Sequence, residues 1–297
     1  MSELKAGSRN IMSLTRWGKF WITITIASLL LYDLRWIYGV INRFQSIFAS
    51  PNLYATVEPW RFWVDYVVTG IIGDGARSLG AILALIAVYR AWGPKPMSFL
   101  NVKRRVSVFL FCEGIYWLLV LPLLIIELLF VGRAPLVMAA FIIQILVSAP
   151  ALIILARKVW LYAAPAMKEV LKWACVAAIA YLIGIWFNNV FRWFSMAQSA
   201  GIGFILTGYN GTGFLATMVT LTLSLIFAVD AFCVMFKKEN SKLAVQLSGV
   251  ALILLSLYFV IFIIISALTN FLNFVILVEF WPITVLGLGL GMLRGRI

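Results

Sequence analysis

The residues of this chain that could do chemistry are its charges within apolar surroundings. Of eleven acidic residues, seven fall inside long apolar stretches: Asp33, Asp65, Asp74, Glu113, Glu127, Asp230 and Glu279. Arg35 and Arg77 accompany them. A charged side chain at mid-bilayer costs about 2.5–3.5 kcal/mol on insertion scales, so it needs a partner, water or a task. Depth along a helix separates the seven at ~1.5 Å per residue. Asp65 and Glu127 fall near one end of their stretches, and Asp230 lies roughly 10 Å from the Lys237 end; all three can reach headgroups or water. Asp33 is intermediate, with Arg35 beside it. Asp74 and Glu279 are nearest the middle, and Glu113 is about two turns in.

Asp74 and Arg77 are three residues apart, so they share a helix face and can pair within one helix. They sit in the run Gly70 to Gly80, which holds four glycines in eleven residues. Such a run weakens a helix while allowing close helix packing, and interrupted helices at mid-depth are the material of transporter binding sites. Trp281 and Pro282 follow Glu279, and a proline there frees backbone carbonyls near the acid. The expectation is a polar cavity formed by the second, third and eighth spans. In it Asp74, Arg77, Glu113 and Glu279 form a substrate or proton pathway, with Asp33, Gln144 and Trp281 as secondary contacts. The competing expectation is a buried structural network in which Arg77 neutralises one acid and the others stay protonated.

The chain has no histidine, which excludes haem ligation by histidine, Ser-His hydrolysis and HExxH zinc chemistry. The three cysteines are far apart in apolar runs and form no CxxC pair, so they read as small buried residues. No cofactor and no metal are expected, and no catalytic residue is assigned. If protons move through this protein, carboxylates must carry them.

Composition fixes the setting that must position these groups. The 297 residues are 64% hydrophobic and 12% charged, with a mean hydropathy of +1.03; a soluble domain is nearer 45–50% apolar and ~25% charged. A span needs about 20 apolar residues. Eight apolar stretches qualify, at 17–40, 63–90, 106–131, 134–156, 171–195, 213–236, 243–268 and 270–292. The expected fold is therefore all-α: a polytopic integral membrane bundle of about eight transmembrane helices in one transmembrane domain covering 1–297, with no soluble domain.

Orientation follows from the basic residues, which are retained on the cytoplasmic side. Eighteen of the twenty-four, including every lysine, fall in one alternating set of ends and loops; Arg43, Arg61, Arg133 and Arg192 make up the other. Both termini are expected in the cytoplasm. The net charge of +13 is then topological and faces anionic inner-leaflet lipid, with no call for nucleic acid. Lys103, Arg104 and Arg105 could hold a lipid phosphate or act only as an insertion stop. Most tryptophans lie near span ends, as an interfacial ring prefers. The seventh span has neither charge nor proline between residues 243 and 268, and it suits lipid, a partner subunit or a second copy of the chain. Residues 199–213 are glycine-rich yet apolar, as either a flexible loop or a re-entrant turn would be.

Tyr32-Asp33, Gly73-Asp74 and Pro150-Ala151-Leu152 are similar, in that order, to motifs of the intramembrane aspartyl proteases, whose two aspartates share a proton. Ile71 stands where that family has the first glycine of Gly-x-Gly-Asp, and Arg77 beside Asp74 opposes a shared proton.

The functional expectation is a transporter or permease for a small solute or ion in the cell membrane, coupled to protons through intramembrane carboxylates, and not an enzyme. Two other classes compete with it. One is a non-catalytic membrane subunit or assembly factor. The other is a membrane-embedded lipid-modifying enzyme, for which no nucleophile or metal motif speaks.

Overall fold

The computed structural model describes residues 16–49, 62–91, 99–131, 135–161, 167–203, 208–237, 241–268 and 281–295. These residues are helical almost throughout and contain no strand. The helices are α1 (Arg16–Ala49), a π-helix (Phe62–Asp74) running straight into α2 (Gly75–Ala91), and α3 (Phe99–Ile126) with a short π-helical extension (Glu127–Val131). Then come α4 (Pro135–Trp160), α5 (Met167–Ala200), α6 (Gly208–Lys237), α7 (Ser241–Leu268) and α8 (Trp281–Leu293). Six stretches are long and apolar enough to cross a membrane, in α2 with the π-helix before it and in α3, α4, α5, α6 and α7; Pro282–Leu293 is a shorter apolar helix. This is the architecture of a multi-pass integral membrane protein.

Burial runs opposite to that of a water-soluble bundle. Ser148, Ser224, Ser256 and Thr217 are almost fully buried, whereas Leu79, Leu129, Leu215 and Ile202 are each more than half exposed. An apolar exterior of this extent is stable only against lipid or a partner. With no hydrophobic drive between helices in lipid, close backbone approach and hydrogen bonds must hold them together.

Both devices recur around the bundle. Among the described residues each helix packs on its neighbours in sequence, and α8 packs back on α1, so these eight α-helices close into a ring. Glycines sit at the crossings: Gly80 of α2 against Cys112 of α3, Gly114 of α3 against Ile153 of α4, and Gly184 of α5 against Gln144 of α4. Gly249 of α7 and Gly289 of α8 each meet the other's carbonyl oxygen, and Gly287 of α8 lies under the Trp21 ring of α1. Hydroxyls add the hydrogen bonds. Ser107 donates to the Ala156 carbonyl at 2.6 Å, Ser224 to that of Ala251 at 2.7 Å, and Ser256 to that of Pro282. The Ser28 and Thr284 hydroxyls lie 3.3 Å apart across α1 and α8.

The glycine run anticipated as a weak point in the second span coincides with a change of winding. The Thr69 hydroxyl donates to the Val64 carbonyl, five residues back, at 2.8 Å, which matches the i→i+5 spacing of a π-helix. Ordinary α-winding resumes at Gly75, directly after Asp74. Pro122 and Pro150 lie within α3 and α4, which continue past them. The glycine-rich segment expected between the fifth and sixth spans begins with a helix stop: Gly201, at φ +86°, donates its N–H to the Ala197 carbonyl at 2.9 Å. A left-handed residue at that position is favoured as glycine because it carries no Cβ. Residues 204–207 of the segment lie outside the described residues.

Candidate functional site

Two polar clusters stand out within the apolar bundle. The first joins the junction of the π-helix and α2 to α3. Asp74 is 4% exposed and Arg77 9%, each set by the change of winding at mid-helix. Arg77 Nε donates to both carboxylate oxygens of Glu113, at 2.8 and 2.9 Å. The guanidinium also lies over the Tyr116 ring, 4.7 Å from its centroid. Tyr116, one turn along α3 from Glu113, hydrogen-bonds the Asp74 side chain. Gly73 makes room for that ring: a Cβ there would lie 3.1 Å from Tyr116 Cδ2.

The structure adds a partner on the next helix to the Asp74–Arg77 proximity that the spacing allows. Asp74 and Arg77 are neighbours on one helix, and the Arg77 charge acts on Asp74. The arginine's Nε, however, is committed to Glu113 on the next helix. One cation thus faces two carboxylates, and it holds Glu113 with charge-assisted hydrogen bonds, the strong kind. Asp74 Oδ1 is buried and has no hydrogen-bond partner among the described residues, and the same holds for the Ser78 hydroxyl one turn on. Buried polar atoms without partners are few in native proteins, and they concentrate where strain or chemistry explains them.

The other members of the expected set do not join this cluster within the described residues. Glu279 lies outside them, as do the side chains of Trp281, Asp33 and Asp65. Glu127 begins the π-helical extension of α3, and Asp230 is exposed on α6. Gln144 is buried, but in the second cluster. Of the basic trio, Arg104 packs over the Trp160 ring at 5.5 Å and Lys103 and Arg105 flank it on the first turns of α3. Nearby Glu169 approaches Lys158 at 3.7 Å and Lys172 at 3.9 Å.

The second cluster lies where α4, α5 and α7 face one another across the ring. A cavity of about 310 Å³ is lined by Gln144, Tyr181, Asn188, Arg192 and Tyr258, with Phe141, Phe259 and Phe262 supplying aromatic walls. The Asn188 amide donates to Gln144 Oε1 at 3.4 Å. Gly184, one turn before Asn188, lets Gln144 lie directly on the α5 backbone. Arg192 is exposed, and its guanidinium lies 5.1 Å from the Phe262 ring centroid. Its charge also acts on the Tyr258 hydroxyl. None of the residues lining the cavity is acidic.

A further cavity, of about 460 Å³, is lined by the stretch of α5 from Leu171 to Leu182 and the stretch of α7 from Ala244 to Leu255, on the other side of Tyr181 from the first. It is almost wholly apolar, with Ala178, Ala228, Ser248 and Leu252 among its walls, and Tyr181 lines both cavities. Sequence reasoning gave Arg192 only a topological role and did not single out Asn188 or the tyrosines. The usable signal was Asn188-Asn189 within an apolar span, with Arg192 four residues on and on the same face. No family model matches this chain, and neither a curated protein nor a solved structure is found similar to it.

Proposed function

We propose that this chain is a multi-pass permease for a small solute or ion, lying in the cell membrane as eight spans with both termini cytoplasmic, and coupled to protons through Asp74. The observation that carries the transport reading is the pair of cavities set end to end along α5 and α7 with Tyr181 between them. A solute path needs space reachable from both ends and a place to be interrupted; these cavities and their shared tyrosine supply candidates for each.

Proton coupling rests on the inequality of the two carboxylates. Glu113 is held by Arg77, so removing its charge would leave a buried cation uncompensated. Asp74 has an oxygen with no hydrogen-bond partner among the described residues and feels the charge of an arginine whose Nε is committed to Glu113, which makes it the acid whose proton can come and go at least cost. The orientation is supported by the grouping of basic helix ends: Arg104 with Trp160, Lys158 with Glu169, and Lys172 with Phe236.

The test uses the purified chain in vesicles containing a pH-sensitive dye, with an imposed membrane potential. The wild type is expected to take up protons above the rate of protein-free vesicles. Asp74→Asn should fold, by its elution volume and helical circular dichroism, and reduce that uptake at least tenfold. Wild-type uptake equal to empty vesicles, or full uptake by Asp74→Asn, would remove the proposal.

The closed Arg77–Glu113 pair favours a second reading, since a neutral ion pair across two helices is also what a structural staple requires. On that reading the chain is a membrane subunit without transport. A stoichiometric partner recovered with the native protein, together with vesicles that carry no flux, would establish it.

A further inference from the structure

From the α4–α5–α7 cavity we infer that this protein binds a small organic carboxylate, with Arg192 as its counter-charge and the aromatic walls holding its apolar body. The inference names a ligand class for the permease reading above and rests on it for biological purpose, though not for binding itself.

The argument starts from charge. Arg192 makes no ion pair among the described residues, and no acidic residue lines the cavity it enters. A guanidinium keeps its charge at any physiological pH and presents a planar fork that matches a carboxylate. The neutralised arginine of the α2–α3 cluster shows the alternative: there Glu113 supplies the anion from the protein. At Arg192 the described residues offer only neutral groups around the charge. The Asn188 and Gln144 carboxamides and the Tyr181 and Tyr258 hydroxyls can orient a second polar atom of the ligand.

Size and lining then narrow the class. A cavity of about 310 Å³ is at the low end of the ~300–1,000 Å³ range of small-molecule sites. Phe141, Phe259 and Phe262 form an apolar wall that a fully hydrated inorganic anion would not use. A compact carboxylate with an aromatic or short aliphatic body satisfies charge, polarity and volume together.

The probe is benzoate, with the neutral benzamide as its match in shape, added to wild-type protein in nanodiscs of phosphatidylcholine. Thermal unfolding is followed by tryptophan fluorescence. Benzoate is expected to raise the midpoint in a saturable way and benzamide to leave it unchanged. Arg192→Gln should weaken benzoate binding about tenfold or more, the usual weight of one charge-assisted contact. Equal shifts from benzoate and benzamide, no shift from benzoate, or unweakened binding by Arg192→Gln would each overturn the inference. So would a shift produced by adding phosphatidylglycerol to the discs but not by benzoate, since the cavity would then serve a lipid headgroup. Should Arg192→Gln fail to fold, the wild-type contrast between benzoate and benzamide still decides. Binding of benzoate without any flux in vesicles would sink the permease reading and leave the site standing.

Discussion

Arg77 and Arg192 each belong to one of the two polar clusters of this bundle, and their surroundings differ in kind. Arg77 is buried, held by Glu113 and stacked on Tyr116, with a second acid at its side. Arg192 is exposed at a cavity, stacked on Phe262 and surrounded by neutral polar groups. The first has been given its anion by the protein. The second has not. The difference separates a charge that holds the fold from one that is available to something outside it.

Removing each charge is the most direct way to break this contrast. Arg77→Met strands Glu113 beside Asp74 without a cation, and breaking a buried pair from one side costs about 3–5 kcal/mol. A large fall in purified yield and unfolding temperature in detergent is expected. The double change Arg77→Met with Glu113→Leu should recover much of that loss, because an apolar pair of similar volume leaves no orphaned charge. If the single change is silent, the pair does not hold α2 to α3.

Adding one methyl group compares the two clusters through their glycines. At Gly184 a Cβ would overlap Gln144 down to that residue's own backbone Cα, so Gly184→Ala is expected to cost about 1–3 kcal/mol as overpacking and to weaken benzoate binding by displacing Gln144. At Gly73 the same methyl meets the edge of the Tyr116 ring at 3.1 Å and the Val68 carbonyl oxygen at an ordinary 3.4 Å. Gly73→Ala should cost less than Gly184→Ala in the same unfolding assay, and a reversed order would mean that the α2–α3 cluster is the more rigid of the two. The smallest effect is expected for Arg192→Gln. Arg192 is exposed and makes no ion pair among the described residues, and surface substitutions of that kind usually stay within about 0.5 kcal/mol, so its unfolding midpoint without ligand should match the wild type. A fall like that of Arg77→Met would show that Arg192, too, is structural.

Helices and charges were legible in the sequence to different extents. Length and apolarity identify the stretches that became α2 to α7, because a bilayer demands about 20 apolar residues of any span. The glycines around Asp74 signalled an irregular helix, and the π-helix that ends at Asp74 is its form. The partner of Arg77 was not legible. A three-residue spacing suggests a bond within the helix, whereas the Arg77–Glu113 pair joins residues thirty-six apart and depends on how α2 and α3 are rotated against each other. Arg192 was hidden for another reason. Counting basic residues by side assigns it to topology, and only the approach of α4 and α7 to α5 turns the same residue into a cavity wall. Gln144 was recognised as polar within a span, but its partner Asn188 follows from Gly184, whose missing side chain admits it.

The ring closure has a consequence for how the chain is made. Helices leave the ribosome in order, and each of α2 to α7 finds its preceding neighbour already in place. For α1 one flank is different: Trp17, Trp21 and Ser28 are completed by Gly287 and Thr284 of α8, synthesised roughly 250 residues later. At ~5–20 residues per second, that flank stays unmatched for some tens of seconds, open to lipid or to the wrong helix. Among the described helices α1 is thus made first and finished last, because its packing waits on the arrival of α8.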